Sequence, residues 1–259
     1  MKYHVVPMKK STKQDRSLAP LIRKTAAGLE TEAIKSIKSL TKEKTDKSLY
    51  YLADEESMHG LMKKMNEGDE LILHGEGQAF VIGLEEPSHF DLNPFNLAEC
   101  LYQANMPDIN INIRLLACHS ATTYAPSDDK TTDLNFSRDT SKALHHFEYN
   151  HITVTGYTGF IVVKNSGKYS VSSVIDGTKT DQKRTHGSLE QANMVYKSGE
   201  LISKGVILSE NYSNMAFDWA KPYITAYKQS FFSDKKNTDE QVSEEKITSS
   251  TPLTSTPSA

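Results

Sequence analysis

Short apolar runs bounded by polar, turn-rich stretches set the rhythm of this chain. "DELILHG" (69–75) and "QAFVIGL" (78–84) read as buried strands, and "ININIRLLACHSA" (109–121) as a third. "ITVTGYTGFIVV" (152–163) and "YSVSSVID" (169–176) read as strands around an Asn-Ser-Gly turn, a hairpin. Helical spacing separates them. "ESMHGLMKKMNEG" ends on Gly68, which suits a helix C-terminus. "NPFNLAECLYQANMP" opens with Asn93 as cap and Pro94 at the first helical position, and Pro107 follows its end. "SRDTSKALHHFEYN" (137–150) is a third helix, after a loop at "APSDDKTTDLN". Strand–helix–strand order of this kind predicts an α/β three-layer sandwich, with a mostly parallel central sheet flanked by helices plus a small β-hairpin. The stretch from "GSLEQANMVYKSGELISKGV" to "MAFDWAKPYITAYKQSFF" is expected to add one or two further helices.

The two ends depart from this pattern. Residues 1–46 read as a polar, basic helical leader. Over 1–47, twelve Lys and Arg stand against five acids, a net charge of +7, and "LETEAIKSIKSL" (29–40) has helical apolar spacing. A solvated helix at the edge of the domain accounts for such a run, and so does an anionic partner such as a polyphosphate or a membrane surface. The folded core is expected to begin at "SLYYLADEE" and to run over residues 47–232. From 233 to 259 the chain is rich in Ser, Thr, Glu and Pro with almost no apolar residues, so it is expected to be disordered.

Composition narrows the function classes. The 259 residues suffice for one α/β domain of ordinary size with tails. A formal net charge of −3 speaks against a nucleic-acid binder. No apolar run approaches the roughly 18–20 residues of a membrane-spanning helix, and "MKYHVVPMKKSTKQ" has no apolar signal-peptide region. The two cysteines, Cys100 and Cys118, do not make a disulfide framework, so a reducing, cytoplasmic compartment is expected.

Two strand-like runs end on residues with chemistry. One stops at His74-Gly75 and the other at Ala117-Cys118. Ligands of open parallel sheets bind at the carboxyl ends of the strands. If the two strands are neighbours, His74 and Cys118 emerge side by side, as a Cys-His catalytic pair requires. The amides of Gly75 and Cys118 are then candidates for an oxyanion hole, where each donor is typically worth about 10²–10³ in rate. Other readings of these residues are weaker. A zinc site from Cys118, His119 and His74 matches no structural zinc spacing and lacks a fourth ligand. His119 alternates to the opposite side of the strand, Cys100 reads as core, and His145-His146 reads as exposed or packed. "HGEGQ" lacks the Lys-Ser/Thr of a phosphate loop.

"LILHGEG" followed by "RLLACHSA" resembles the His-Gly and Ala-Cys blocks of the caspase-like (clan CD) cysteine peptidases. "FDLNPFNLAECLYQANMPDININIRLLACHSA" is most similar to the branch of self-cleaving protease domains of bacterial toxins. The resemblance covers about residues 47–165. It implies a caspase-like fold, Cys118 as nucleophile, His74 as general acid and base, and the Gly75 and Cys118 amides as oxyanion hole. It also implies Asp54, which ends "SLYYLAD", as the acid that orients the histidine. The implied substrate is a protein or peptide, including the chain itself, with no metal and no nucleic acid. In the toxin branch an inositol phosphate activator binds a basic surface near a β-hairpin. Lys164, Lys168, Lys179, Lys183 and Arg184 are the matching candidates here, and ordinary surface charge accounts for them as well. A Cys-dependent acyltransferase and a catalytically inactive binding scaffold are the alternatives. The acidic, Ser/Thr-rich tail resembles the translocation signals of type IV-secreted bacterial effectors, which implies delivery to a host cytosol.

Overall fold

A computed structural model describes residues 1–40, 43–78, 81–83, 92–123, 134–163, 166, 168–175 and 183–205. In chain order they form β1 (Lys2–Val6), a 3-10 turn (Thr12–Gln14), α1 (Pro20–Ser39), β2 (Thr45–Tyr51), α2 (Glu55–Met62), β3 (Glu70–His74), β4 (Glu76–Gln78) and β5 (Val81–Gly83). There follow α3 (Pro94–Gln103), β6 (Asn112–Leu116), α4 (Phe136–His146), β7 (Thr153–Tyr157), β8 (Phe160–Val163), β9 (Tyr169–Ile175), β10 (Lys183–Gly187), α5 (Leu189–Ala192), β11 (Asn193–Lys197) and β12 (Glu200–Lys204). The central sheet has seven strands in the order β12-β11-β7-β6-β3-β1-β2. Strands β2, β1, β3, β6 and β7 run parallel, and β11 and β12 close one edge antiparallel. The expected α/β sandwich is therefore present, with a mixed, mostly parallel sheet.

Strand alternation divides the apolar residues between two faces. On one face Leu71, Leu73, Ile113 and Leu115 meet Met58 and Leu61 of α2, Leu97 and Leu101 of α3, and Phe136 and Leu144 of α4. On the other face, Val6 packs against Ala26, Leu29 and Ala33 of α1. Further along that face Ile72, Leu116 and Tyr157 pack against Val171 of β9 and Ala192 of α5. The cap read from the sequence for α3 is in place: Asn93 accepts from the Asn96 amide at 2.8 Å, with Pro94 at the start of the helix. Gly68 does not close α2, which ends at Met62 with Lys63 as its cap; with a positive φ of 80° it serves the turn that leads into β3.

One further expectation changes. The sheet begins at residue 2 and not at 47. Within the supposed leader, "KYHVV" forms β1, which lies between β2 and β3 with Tyr3, His4, Val5 and Val6 all buried. Four buried positions are enough for a strand paired on both sides, and the surrounding lysines hid them in the overall charge. "QAFVIGL" supplies the expected strand as β5, which folds back antiparallel on β4 as a two-stranded ribbon. After residue 187 the described chain holds α5, one of the further helices expected there. Its continuation is the antiparallel pair β11–β12, joined through Ser198-Gly199, where both residues have positive φ. Residues 206–232 and the tail at 233–259 lie outside the described residues, as do Lys164 and Lys179. β8, β9 and β10 form a separate three-stranded antiparallel sheet, which contains the expected hairpin.

Candidate active site

β3 and β6 are neighbouring parallel strands, with His74 opposite Leu116. Cys118 follows two residues beyond the end of β6. Both side chains belong to the sheet face covered by α1 and by the β8–β9–β10 sheet. His74 meets Tyr169 of β9, and Cys118 meets Ile161 of β8. Two β–helix–β connections thus bring the two sequence candidates to adjacent strand ends on one side.

His74 is 2 % exposed and both its ring nitrogens are occupied. Nε2 lies 2.8 Å from Nδ1 of His4, and Nδ1 lies 2.9 Å from the Tyr169 hydroxyl. The pair with His4 follows from register. His4 on β1 stands opposite Ile72, so His74 is its diagonal neighbour on the same face. The two rings lie 5.1 Å apart at 24°. The Ser36 side chain of α1 lies beside the Tyr169 hydroxyl. Burial holds the His74 imidazole well below its ordinary titration range, and the nearby His4 adds to this. His4, fully buried, is lowered to about 4 by burial and then by Lys2. Both rings are therefore neutral at pH 7.

Cys118 is held by the backbone of β8. The Ile161 amide donates to Sγ at 3.3 Å, and the thiol faces the Ile161 carbonyl at 3.9 Å. Burial pushes the thiol up to about 11. The Ile161 amide pulls it down, and Glu76 and Glu32 add upward contributions. β4 crosses directly over the Cys118 peptide, and a Cβ on Gly77 would collide with its carbonyl oxygen and amide nitrogen. A Cβ on Gly75 would likewise strike Ile82 of β5. The two glycines of "HGEG" are thus explained by close approach, of the Ile82 side chain at Gly75 and of the Cys118 backbone at Gly77. The thiol in this arrangement is protonated and half-buried.

The remaining sequence candidates are placed differently from expectation. The Gly75 amide donates to the Leu116 carbonyl at 3.2 Å, so the ladder uses it and it does not point at an oxyanion. Asp54 lies beyond the end of β2, the edge strand, with β1 between β2 and β3. Its carboxylate caps α2 by accepting from the Ser57 amide at 3.2 Å. The position beside His74 that Asp54 was expected to fill belongs to His4. Among the described residues no hydrogen bond joins His74 to Cys118 or to Asp54. His119 takes a positive φ of 56°, lies edge-on to Phe160, and is lowered to about 4 by burial. Among the described residues no group of three or more His, Cys, Asp and Glu is placed to hold a metal ion. None of the described helices is long and apolar enough to cross a membrane.

His4 and Tyr169 were missed by sequence reasoning. His4 sits in a stretch dominated by charge, and its only signal is a histidine alternating with Tyr3 and Val5. Tyr169 opens a strand in which nothing marks it off from a packing residue. No protein-family model matches the chain, and comparison with curated proteins gives no match.

Proposed function

We propose that this chain is a caspase-like cysteine peptidase with Cys118 as nucleophile and His74 as acid–base group. One observation carries the reading: His74 and Cys118 lie at the carboxyl ends of the neighbouring parallel strands β3 and β6, on the same sheet face. In the reaction the thiol proton passes to His74 and sulfur bonds to the peptide carbonyl carbon. The C–N bond then breaks as His74 returns that proton to the leaving amine. Water cleaves the thioester, its oxygen joining the acyl carbon and its hydrogen restoring the thiol. The described arrangement corresponds to a resting form. Its thiol is protonated, and for His74 to reach Cys118 the Tyr169 hydroxyl must leave Nδ1. The acidic tail supports delivery to a host cytosol, where the substrates would be host proteins or the chain itself. An inositol phosphate activator is part of the same reading.

A second reading, a binding scaffold without catalysis, is favoured by the occupancy of the site: both His74 nitrogens, the Cys118 sulfur and the Gly75 amide are all engaged. A survey of new protein N-termini in eukaryotic cell lysate separates the two. Wild type and Cys118→Ala are compared, with and without inositol hexakisphosphate. New termini made only by wild type are expected. Identical termini in both would overturn the peptidase, and adducts on Cys118 seen by intact mass would then indicate acyl transfer. His74→Ala is expected to lower cleavage by about 10²–10⁴, the usual worth of a general acid–base group.

A further inference from the structure

We infer that His4 is the positioning residue of His74, holding its ring and fixing which nitrogen carries the proton. The inference rests on the peptidase reading and names the partner of the histidine in that site. His4 is carried by β1, the strand next to β3, and is fully buried. Its Nδ1 lies 2.8 Å from Nε2 of His74. Its own Nε2 is buried with no hydrogen-bond partner among the described residues. A buried polar atom without a partner is unfavourable, and an apolar residue at this position would avoid it. Among the described residues, the bond to His74 is the one interaction of the His4 ring that an apolar side chain cannot replace.

The direction of the chain of bonds decides the chemistry. In the inferred chain of bonds the Tyr169 hydroxyl gives its proton to Nδ1 of His74, 2.9 Å away. His74 then carries its proton on Nε2 and donates it to Nδ1 of His4. When Tyr169 withdraws, Nδ1 of His74 is left as a bare acceptor. It faces the sheet whose β8 strand also holds Cys118. A bare Nδ1 is what a base for the thiol needs, and His4 keeps it bare by occupying the proton at the far nitrogen. The groups around the pair are Lys2 on β1, Tyr169 on β9 and Glu32 on α1. No carboxylate bonds either ring among the described residues, so a neutral imidazole does the positioning that Asp54 was expected to do.

Two measurements on the full chain test this. The first is the 15N chemical shifts of the His74 ring in wild type at neutral pH, with the signals assigned by His74→Gln and His4→Asn. A proton on Nε2 of His74 is expected, and a proton on Nδ1 would overturn the role. The second is the pH profile of iodoacetamide alkylation of Cys118, read peptide by peptide so that Cys100 does not interfere. His4→Leu is expected to slow alkylation at neutral pH by about tenfold, and His4→Asn, which keeps a polar atom near Nδ1, to restore it to within about threefold. A folded His4→Leu with the wild-type profile, alongside a changed profile in His74→Ala, overturns the role of His4 and leaves the Cys-His pair standing. A profile that neither His74→Ala nor His4→Leu changes overturns the pair itself.

Discussion

At Gly77 and Gly28 the same substitution is expected to act in opposite directions. Gly77 lies in β4 against the Cys118 peptide, and an added Cβ would collide with the Cys118 backbone. Gly77→Ala is expected to destabilise the protein by about 1–3 kcal/mol, the usual range for overpacking. Gly28 is inside α1 with nothing within 4 Å of its would-be Cβ, so Gly28→Ala is expected to stabilise by about 0.5–1 kcal/mol. Urea denaturation of the two variants checks both. Equal effects would mean that β4 does not rest on Cys118 as described. At this scale the sequence was legible for His74 and Cys118, because each ends an apolar run and parallel strands bring such ends together. Gly75 and Gly77 were visible as glycines, but their reason was not. They serve close approaches that no local pattern encodes.

Among the elements, the sheet of β8, β9 and β10 has the largest hold on the site. It supplies both the Ile161 backbone to Cys118 and the Tyr169 hydroxyl to His74. Tyr169→Phe keeps the ring and its packing and removes only the hydroxyl. It is expected to raise the rate of Cys118 alkylation at neutral pH by a few-fold, since Nδ1 of His74 is then unoccupied, with the effect lost in the His74→Ala background. A rate equal to wild type would mean that the hydroxyl does not restrain the histidine. The helices and β3, β6 and β7 were readable because Asn93-Pro94 opens α3 and short runs of mostly buried residues mark the strands. β1 was not readable because its five residues are too short to show a period beside so many lysines. β11 and β12 were obscured because "LEQANMVYK" reads as helical until the Ser198-Gly199 turn is recognised as a hairpin signal.

For the molecule as a whole, the buried histidines set a dependence of stability on pH. His4 and His119 are held at about 4 in the folded protein, below the ordinary 6.5 of an exposed ring, and burial also holds His74 well below that ordinary value. Between pH 6.5 and about 4 the unfolded chain therefore binds more protons than the folded one. Stability is complete above the ordinary value and falls as the pH is lowered through this window. His4 and His119 each contribute on the order of 3 kcal/mol to that fall. Thermal melts at pH 7.5 and pH 4.5 are expected to show a marked loss at the lower value. An unchanged melting temperature would mean that these rings gain protons without unfolding.

The position of β1 has a consequence for how the protein folds. Its partners are residues 45–51 and 70–74, so the earliest strand in the chain pairs with nothing close to it in sequence. A ribosome must deliver more than seventy residues before the middle of the sheet can close, and such distant pairings are intrinsically slow. Until then Tyr3, His4, Val5 and Val6 are exposed, and β2 has no route into the sheet. Clipping residues 1–8 would remove a seam and not a fringe. It would leave β2 stranded from β3 and take His4 away from His74, so that assembly and chemistry fail together.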